Sequence, residues 1–342
     1  MNNEKTTIKM DTHMHSKASD GLWSPSEVVA YAKSQGLTAI ALTDHDTVYG
    51  VPEAVEAGKV QGIRVIPGIE IDAQYESNGT KVKDIELLGL HIDVAGMLPF
   101  THQRAVARMG SLDAYVHAYN NYVHGATFDE ENSQKQFSLE NPKELSLEQI
   151  VSWKNSKDNY ENPAPFLSKM DVICYLVENH VPESEQKTLA LSGDRATLQL
   201  MKDEYAFLFT GKEVKPTFYD AIKAVKAAGG LAVVAHPGLS KGYKHGMLKE
   251  WELSKEEWFK DHGQLTPFQF LADLKAHGLD GVELYNYKGQ DKPHAAAQEL
   301  INEYFAAVAE QLHLITTYGS DCHGPKNGGP FIGKFGSDHE YM

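Results

Sequence analysis

The amino-acid sequence predicts an α/β fold in which parallel strands are joined by crossover helices. Two observations point to it. Apolar, strand-like runs alternate with capped amphipathic helices over roughly the first ninety residues, and the same alternation resumes after residue 215. A parallel strand needs a long crossover before its neighbour, so this order is typical of βαβ units. The 342 residues suffice for one large α/β domain or two smaller ones.

The first block contains three predicted strands, at residues 7–13, 37–43 and 64–71. A helix follows the first strand, because Ser24-Pro25-Ser26-Glu27 combines a capping Ser, a Pro at the first helical position and a Glu three residues after the cap. Gly36 ends this helix, and a second helix is expected around residues 52–60. Beyond the third strand, Ser77-Asn78-Gly79 separates two alternating stretches and predicts a hairpin.

The second block repeats the pattern. Three strands are expected at residues 231–238, 280–286 and 313–321. Helices are expected at about residues 217–228, 266–277 and 293–311. Each helix precedes or separates strands, as crossover connections require.

The alternation stops in the middle of the chain. Residues 98–212 are helical in pattern, polar, and rich in Asn, Glu, Lys and aromatic side chains. We interpret this segment as an inserted helical subdomain. The barrel domain then comprises residues 1–97 and 213–342.

Histidines and carboxylates follow the predicted strands at the point where each strand ends. They are His13, His15, Asp20, Asp44, His45, Asp46, Glu70, His236, Asp321 and His323. The carboxyl ends of the strands of a parallel barrel converge on one face, where active sites lie. Histidine with carboxylate is a ligand set that suits zinc, manganese or iron. The sequence therefore predicts a metal centre.

Each of these groups has a simpler explanation when taken alone. A single His-x-His pair is more often a surface or hydrogen-bonded pair than a ligand pair. The triplet Asp44-His45-Asp46 would also suit a turn, because Asp favours such loops. Five groups at five strand ends are much harder to explain in this way.

Composition restricts the partners. The formal net charge is −15, which would repel a long nucleic acid, whereas a small phosphorylated metabolite is compatible with it.

No run of apolar residues approaches the roughly 18 residues that span a bilayer, so no membrane partner is expected. The N-terminal text lacks the apolar core of a secretory signal, and two cysteines do not make a disulfide scaffold. We expect a cytoplasmic protein; the sequence gives no oligomeric state.

The motifs HMH, SDG, TDHD, GIE, AHPG and GSDCHG, in this order, resemble those of the PHP (polymerase and histidinol phosphatase) family. The resemblance covers roughly residues 8–98 and 213–325, and it is closest to stand-alone members that act on small nucleotide phosphates. It implies a distorted (β/α)7 TIM-like barrel that binds two or three divalent ions, manganese, iron or zinc.

The resemblance also implies a ligand set. One ion would be held by His13, His15, Glu70 and Asp321. Glu70 would bridge to a second ion that His236 shares. A third ion would be held by Asp20, His45 and His323.

Two positions depart from the family pattern. Relatives commonly carry a histidine where this chain has Glu86, and His91 lies five positions further on. We expect Glu86 to replace that ligand, with His91 or no ligand as alternatives, because an odd spacing points the two side chains of a strand to opposite faces.

Lys169 stands where relatives often have an arginine that binds phosphate, and Arg195 is a second candidate for binding the phosphate of the substrate. A solvated helix charge explains either residue equally well.

The resulting hypothesis is a metal-dependent phosphoesterase that hydrolyses a small phosphate monoester with metal-activated hydroxide. No protein side chain is assigned as the acid or base. A metal-dependent amidohydrolase is one alternative, but it leaves Asp20 and the Asp44-His45-Asp46 triplet unexplained. A non-catalytic metal-binding module is the other.

Overall fold

Seven strands form one sheet, in which their spatial order is their order along the chain. They are β1 (Met10–Asp11), β2 (Ala39–Leu42), β3 (Arg64–Ser77), β4 (Thr80–Leu90), β5 (Leu231–Val234), β6 (Gly281–Glu283) and β7 (Ile315–Thr317). The computed structural model describes residues 9–77, 80–125, 141–162, 166–181, 213–237, 266–284 and 292–324.

Most neighbouring strands are parallel, as the alternation predicted. Strands β1 to β3 are parallel to one another, and so are β5 to β7. Strand β4 is antiparallel to both of its neighbours. The expected hairpin accounts for this reversal: Ser77 pairs with Thr80 at the tip of β3 and β4. The turn residues 78–79 lie outside the described residues.

The sheet is mixed and curls into a half-barrel. Beyond the strand ends, the Thr12 amide donates to the Tyr318 carbonyl at 3.0 Å, and the His15 amide donates to the Cys322 carbonyl at 2.9 Å. The segment that follows β1 therefore lies beside the segment that follows β7. This brings residues from both ends of the sequence to one place.

Helices cover the outer face of the sheet. They are α1 (Pro25–Ser34), α2 (Val51–Gln61), α6 (Phe218–Ala227), α7 (Pro267–Ala276) and α8 (Lys292–Leu312). The predicted capping box of α1 is present: Ser24 accepts from the Glu27 amide, and the Glu27 carboxylate accepts from the Ser24 amide at 2.7 Å. Such caps satisfy backbone donors that have no partner inside the helix.

Strand β2 shows how the sheet divides the core. Ala39 and Ala41 belong to an apolar cluster with strand residues such as Met10 and Leu88. Ile40 and Leu42 belong to another cluster, which contains residues of α1. Because alternate residues of a strand face opposite sides, both faces of β2 are buried. The cluster that contains Ala39 and Ala41 fills the concave side of the curled sheet.

The chain divides into two compact units, Met1–His102 with Lys215–Met342, and Gln103–Val214. The second unit contains α4 (Leu147–Asp158), α5 (Lys169–His180) and most of α3 (Val94–Val123). These helices pack around their own apolar cluster, which includes Tyr119, Ile150 and Ile173. That residues 98–212 are an inserted subdomain stays a prediction.

The strands of the second block end earlier than predicted: β5, β6 and β7 end at Val234, Glu283 and Thr317. For β5 and β7 the chain leaves the extended conformation soon afterwards. His236 has a φ of 22° and Asp321 a φ of 49°, values that a strand does not accommodate. The residues predicted to bind metal at these ends therefore lie in turns.

In the part of the chain that the structure describes, no helix combines the length and the apolar character that a membrane crossing requires.

Candidate metal centre

Glu70 lies at the centre of the candidate site. It is a fully buried residue in the middle of β3. Its Oε2 atom is 3.1 Å from His13 Nε2, 3.2 Å from His15 Nε2 and 3.2 Å from His45 Nδ1. Three imidazole nitrogens from the ends of β1 and β2 thus converge on one carboxylate oxygen.

A first group of possible ligands comprises His13, His15, Glu70 and Asp321, whose ligand atoms all lie within 4.8 Å of one another. Asp321 Oδ1 is 3.1 Å from His15 Nε2 and 3.6 Å from His13 Nε2. Asp11 holds the two ends of the sheet in this arrangement, because its Oδ1 accepts from the amides of His13 and Ser320.

A second group comprises His15, Asp20, His45 and His323. Asp20 Oδ2 is 3.4 Å from His323 Nε2 and 3.9 Å from His45 Nε2, and Asp20 Oδ1 is 3.8 Å from His15 Nδ1. The rings of His15 and His323 stack with their centroids 4.1 Å apart. The loop after β1, the segment after β2 and the segment after β7 together supply this group.

A third group comprises His45, Glu70 and Glu86. His236 adjoins it, since His236 Nε2 is 3.1 Å from Glu70 Oε1 and 3.3 Å from Glu86 Oε2. Glu86 pairs with Asp72 in the antiparallel register of β3 and β4, and this register turns it towards Glu70. His91 follows the end of β4 with a φ of 58°, and none of the three groups contains it.

The site is strongly charged when no cation is bound. Burial lowers the pKa of His45, but the carboxylates of Glu70 and Asp20 outweigh it and raise that pKa to about 10. His236 is affected in the same way, through Glu70 and Glu86, and its pKa rises to about 9. Burial and the charge of Glu70 raise the pKa of Glu86 to about 7. Without a cation, protons on the histidines therefore balance the negative charge of the carboxylates. A bound cation would take over this role.

The residues fit a divalent ion by a second criterion. Among the described residues, Glu70 Oε2 and His15 Nδ1 are buried atoms with no neighbour in hydrogen-bond geometry, although three imidazole nitrogens lie 3.1 to 3.2 Å from Glu70 Oε2. Buried polar atoms are nearly always satisfied, and a ligand bond to a cation would satisfy both. The mixed nitrogen and oxygen donors suit zinc, manganese or iron(II).

A family model for the PHP domain matches residues 11–210, which is more than half of the chain. This chain belongs to the PHP domain family. The match confirms the family that the six motifs indicated, and it includes the segments that carry His13, His45 and Glu70.

Two relatives of this PHP protein align over nearly their whole length. A 5'-3' exoribonuclease of Haemophilus influenzae is 26% identical over 93% of this chain and 91% of its own. A 3',5'-nucleoside bisphosphate phosphatase of Chromobacterium violaceum is 24% identical over 95% of this chain and 90% of its own. Both names denote hydrolysis of phosphoesters, which agrees with the sequence-based expectation of a phosphoesterase.

A solved structure supports the fold. A Bifidobacterium adolescentis protein assigned as a metal-dependent phosphoesterase superposes with a TM-score of 0.59 at 20% identity, over 95% of this chain and 91% of that one. At this identity the likeness concerns the fold alone.

The predicted substrate-binding residues are Lys169 and Arg195. Lys169 is an exposed residue at the start of α5, in the unit Gln103–Val214. Arg195 lies outside the described residues. Their role stays a prediction.

Sequence reasoning missed one carboxylate in the site. Glu283 ends β6, is 1% exposed, and contacts His13 Nδ1 through both oxygens, at 3.0 and 3.2 Å. Its position within the apolar strand segment Gly281-Val282-Glu283-Leu284 could have revealed it, because a buried charged side chain requires a partner.

Asp44 is hydrogen-bonded to the loop that follows β1. Its oxygens accept from the Ser16 amide and hydroxyl at 2.7 Å each, and from the Ser19 hydroxyl at 2.6 Å. Asp44 thereby fixes the loop that leads to Asp20.

Proposed function

We propose that this PHP protein hydrolyses a small phosphate monoester, with a nucleotide as the first candidate, at a centre of two or three divalent ions of manganese, iron or zinc. Its scaffold is a distorted (β/α)7 barrel. The proposed ligands are His13, His15, Asp20, His45, Glu70, Glu86, His236, Asp321 and His323.

The arrangement of Glu70 carries this proposal. Its Oε2 faces three imidazole nitrogens at 3.1 to 3.2 Å, while its Oε1 faces His236 Nε2 at 3.1 Å. A carboxylate whose two oxygens face separate sets of donors is suited to bridging two cations. Closely spaced cations are typical of phosphoester hydrolysis.

Bound divalent ions lower the pKa of coordinated water and neutralise charge on the phosphoryl oxygens. The chain's own contribution is to hold nitrogen and oxygen donors in fixed positions. Burial of Glu70, His13 and His15 keeps these donors away from bulk water, which strengthens their electrostatic interactions. Glu86 supplies an oxygen donor where the family pattern implies a histidine, and it favours harder ions such as manganese or iron(II).

The substrate is proposed from charge and from the relatives. A net charge of −15 disfavours a long polyanion, so we place a small phosphorylated metabolite ahead of the RNA on which the Haemophilus protein acts by name. Lys169 and Arg195 are proposed to bind its phosphate. The cytoplasm remains the expected compartment.

The test is a screen of the purified protein, loaded with manganese, against phosphorylated metabolites. The panel contains nucleoside monophosphates, nucleoside bisphosphates and a 5'-phosphorylated RNA oligonucleotide. We expect phosphate release from a monoester and none from the oligonucleotide. The same panel with His45→Ala, which removes a ligand shared by two groups, is expected to give no turnover.

Two outcomes would replace the proposal. Hydrolysis of cyclic amides without hydrolysis of p-nitrophenyl phosphate would favour an amidohydrolase. Metal bound at the site together with no turnover on any ester would favour a non-catalytic metal-binding module.

A further inference from the structure

Glu283 contacts two candidate ligands that belong to different parts of the centre. Its side chain contacts His13 Nδ1 through both oxygens, and its Oε2 also accepts a hydrogen bond from the backbone amide of His236 at 2.9 Å. His13 adjoins Asp321, whereas His236 adjoins Glu86. The Glu283 carboxylate therefore contacts one residue near each oxygen of Glu70: His13 near Oε2 and His236 near Oε1.

We propose that Glu283 is a positioning residue that sets the coordinating atom of His13 and the conformation of His236, so that it organises ligands of two ions at once. This inference rests on the proposed metal centre. None of the three groups of possible ligands among the described residues contains Glu283.

The first part follows from the chemistry of the His13 ring. An ionised carboxylate can only accept hydrogen bonds, so His13 Nδ1 must carry the proton that it donates to Glu283. The lone pair is then left on Nε2, which lies 3.1 Å from Glu70 Oε2 and 3.6 Å from Asp321 Oδ1. Glu283 thereby selects Nε2 as the coordinating atom and increases its basicity.

The second part follows from the backbone at His236. This residue has a φ of 22°, which is unfavourable for a side chain with a Cβ atom. The hydrogen bond from its amide to Glu283 holds the turn in this conformation. In the same conformation His236 Nε2 reaches Glu70 Oε1 and Glu86 Oε2.

Gly319 leaves the space that this arrangement needs. A methyl group at this position would overlap Glu283 Oε1 and His13 Cβ. The chain after β7 thus passes directly over the contact between Glu283 and His13, and a larger residue there would separate the two side chains.

Manganese affinity measures the role directly. Chelator-treated wild-type protein, Glu283→Gln and the control Glu303→Gln are titrated with manganese by calorimetry; Glu303 is an exposed residue of α8. Gln preserves the shape of Glu283 but removes its charge. We expect about 10- to 100-fold weaker binding for Glu283→Gln, at two ions together, and unchanged binding for Glu303→Gln. Binding by Glu283→Gln within about twofold of wild type would overturn the inference.

Failure of the proposed function is distinguishable from this outcome. Wild-type protein that binds manganese but cleaves no ester contradicts the enzymatic proposal and leaves the affinity comparison intact. Wild-type protein that binds neither manganese nor zinc overturns both.

A measurement on the wild type covers the case in which Glu283→Gln does not fold. Nitrogen-15 NMR of the zinc-loaded protein reports which ring nitrogen of each histidine carries a proton and which binds metal. We expect His13 to be protonated at Nδ1 and coordinated through Nε2. Coordination of His13 through Nδ1 would overturn the inference.

Discussion

Glu70 Oε1 lies 3.1 Å from His236 Nε2, although the two residues are separated by 166 positions in the sequence. The other oxygen of the same carboxylate faces three more histidines. Four imidazoles thus surround a single buried side chain. The consequences of this contact can be tested one residue at a time.

Glu70→Gln should abolish turnover and reduce the number of ions bound. The amide lacks the negative charge that attracts a cation, and its NH2 group would face histidine nitrogens. We expect a loss of more than about 100-fold in kcat/KM, because removal of partners one step further from the metal already costs about 10- to 100-fold. Metal content by elemental analysis checks the cause. The control is Glu76→Gln, an exposed residue of the same strand, which should behave as wild type.

Glu86→His should shift the metal preference of the protein towards zinc. An imidazole at this position replaces an oxygen donor with a nitrogen donor beside His45 and His236. Competition between zinc and manganese for the chelator-treated protein measures the preference. His91→Ala should leave it unchanged, and a loss of metal in His91→Ala that Glu86→Gln does not share would exchange the roles of the two residues.

The metal-free protein should lose stability as the pH rises from about 6.5 to about 10. The folded-state pKa values of His45 and His236 are raised from 6.5 to about 10 and about 9. Their contribution is complete below the unfolded value and is lost as the pH rises through the folded values. The raised pKa of Glu86, about 7, acts in the same direction.

Thermal melting of chelator-treated protein across this range is the measurement, and a fall of several degrees is expected. Metal-loaded protein should lose less, because higher pH removes the protons that compete with the ions. A melting temperature of the metal-free protein that rises with pH would contradict the proposed charge state.

Asp44→Asn should lower the free energy of unfolding by about 1–3 kcal/mol, because Asp44 is fully buried and accepts three hydrogen bonds from Ser16 and Ser19. It should also weaken binding of the ion held by Asp20, because Asp44 fixes the loop that carries Asp20. Urea denaturation with Asp113→Asn as an exposed control measures the first effect. An unchanged free energy of unfolding would show that the three bonds contribute little.

The sequence was sufficient to predict which segments form strands and helices, because apolar runs and capping residues are local signals. Ser24 and Glu27 form the expected box. His13, His15 and Glu70 come together as the convergence of strand ends requires. The local sequence could not predict that β5 ends early, since the positive φ at His236 is accompanied by a hydrogen bond from its amide to the distant Glu283.

Other features depend on pairing between distant segments. The reversal of β4 places Glu86 opposite Asp72, and periodicity alone does not give that register. Glu283 was missed because no histidine accompanies it in sequence; its partners are 270 and 47 positions away. Asp44 was recognised as important, but its position in a turn did not reveal which groups it accepts from.

The contact between the segments after β1 and β7 also bears on the order in which the protein is made. Ligand atoms of His15 and Asp321 meet only when the amide of His15 reaches the carbonyl of Cys322. The ribosome must therefore synthesise the chain as far as Asp321 before the group of His13, His15, Glu70 and Asp321 is complete. Until then three of its four donors are present. Closure over so long a sequence separation is intrinsically slow, so the ion of this group is expected to bind late in folding.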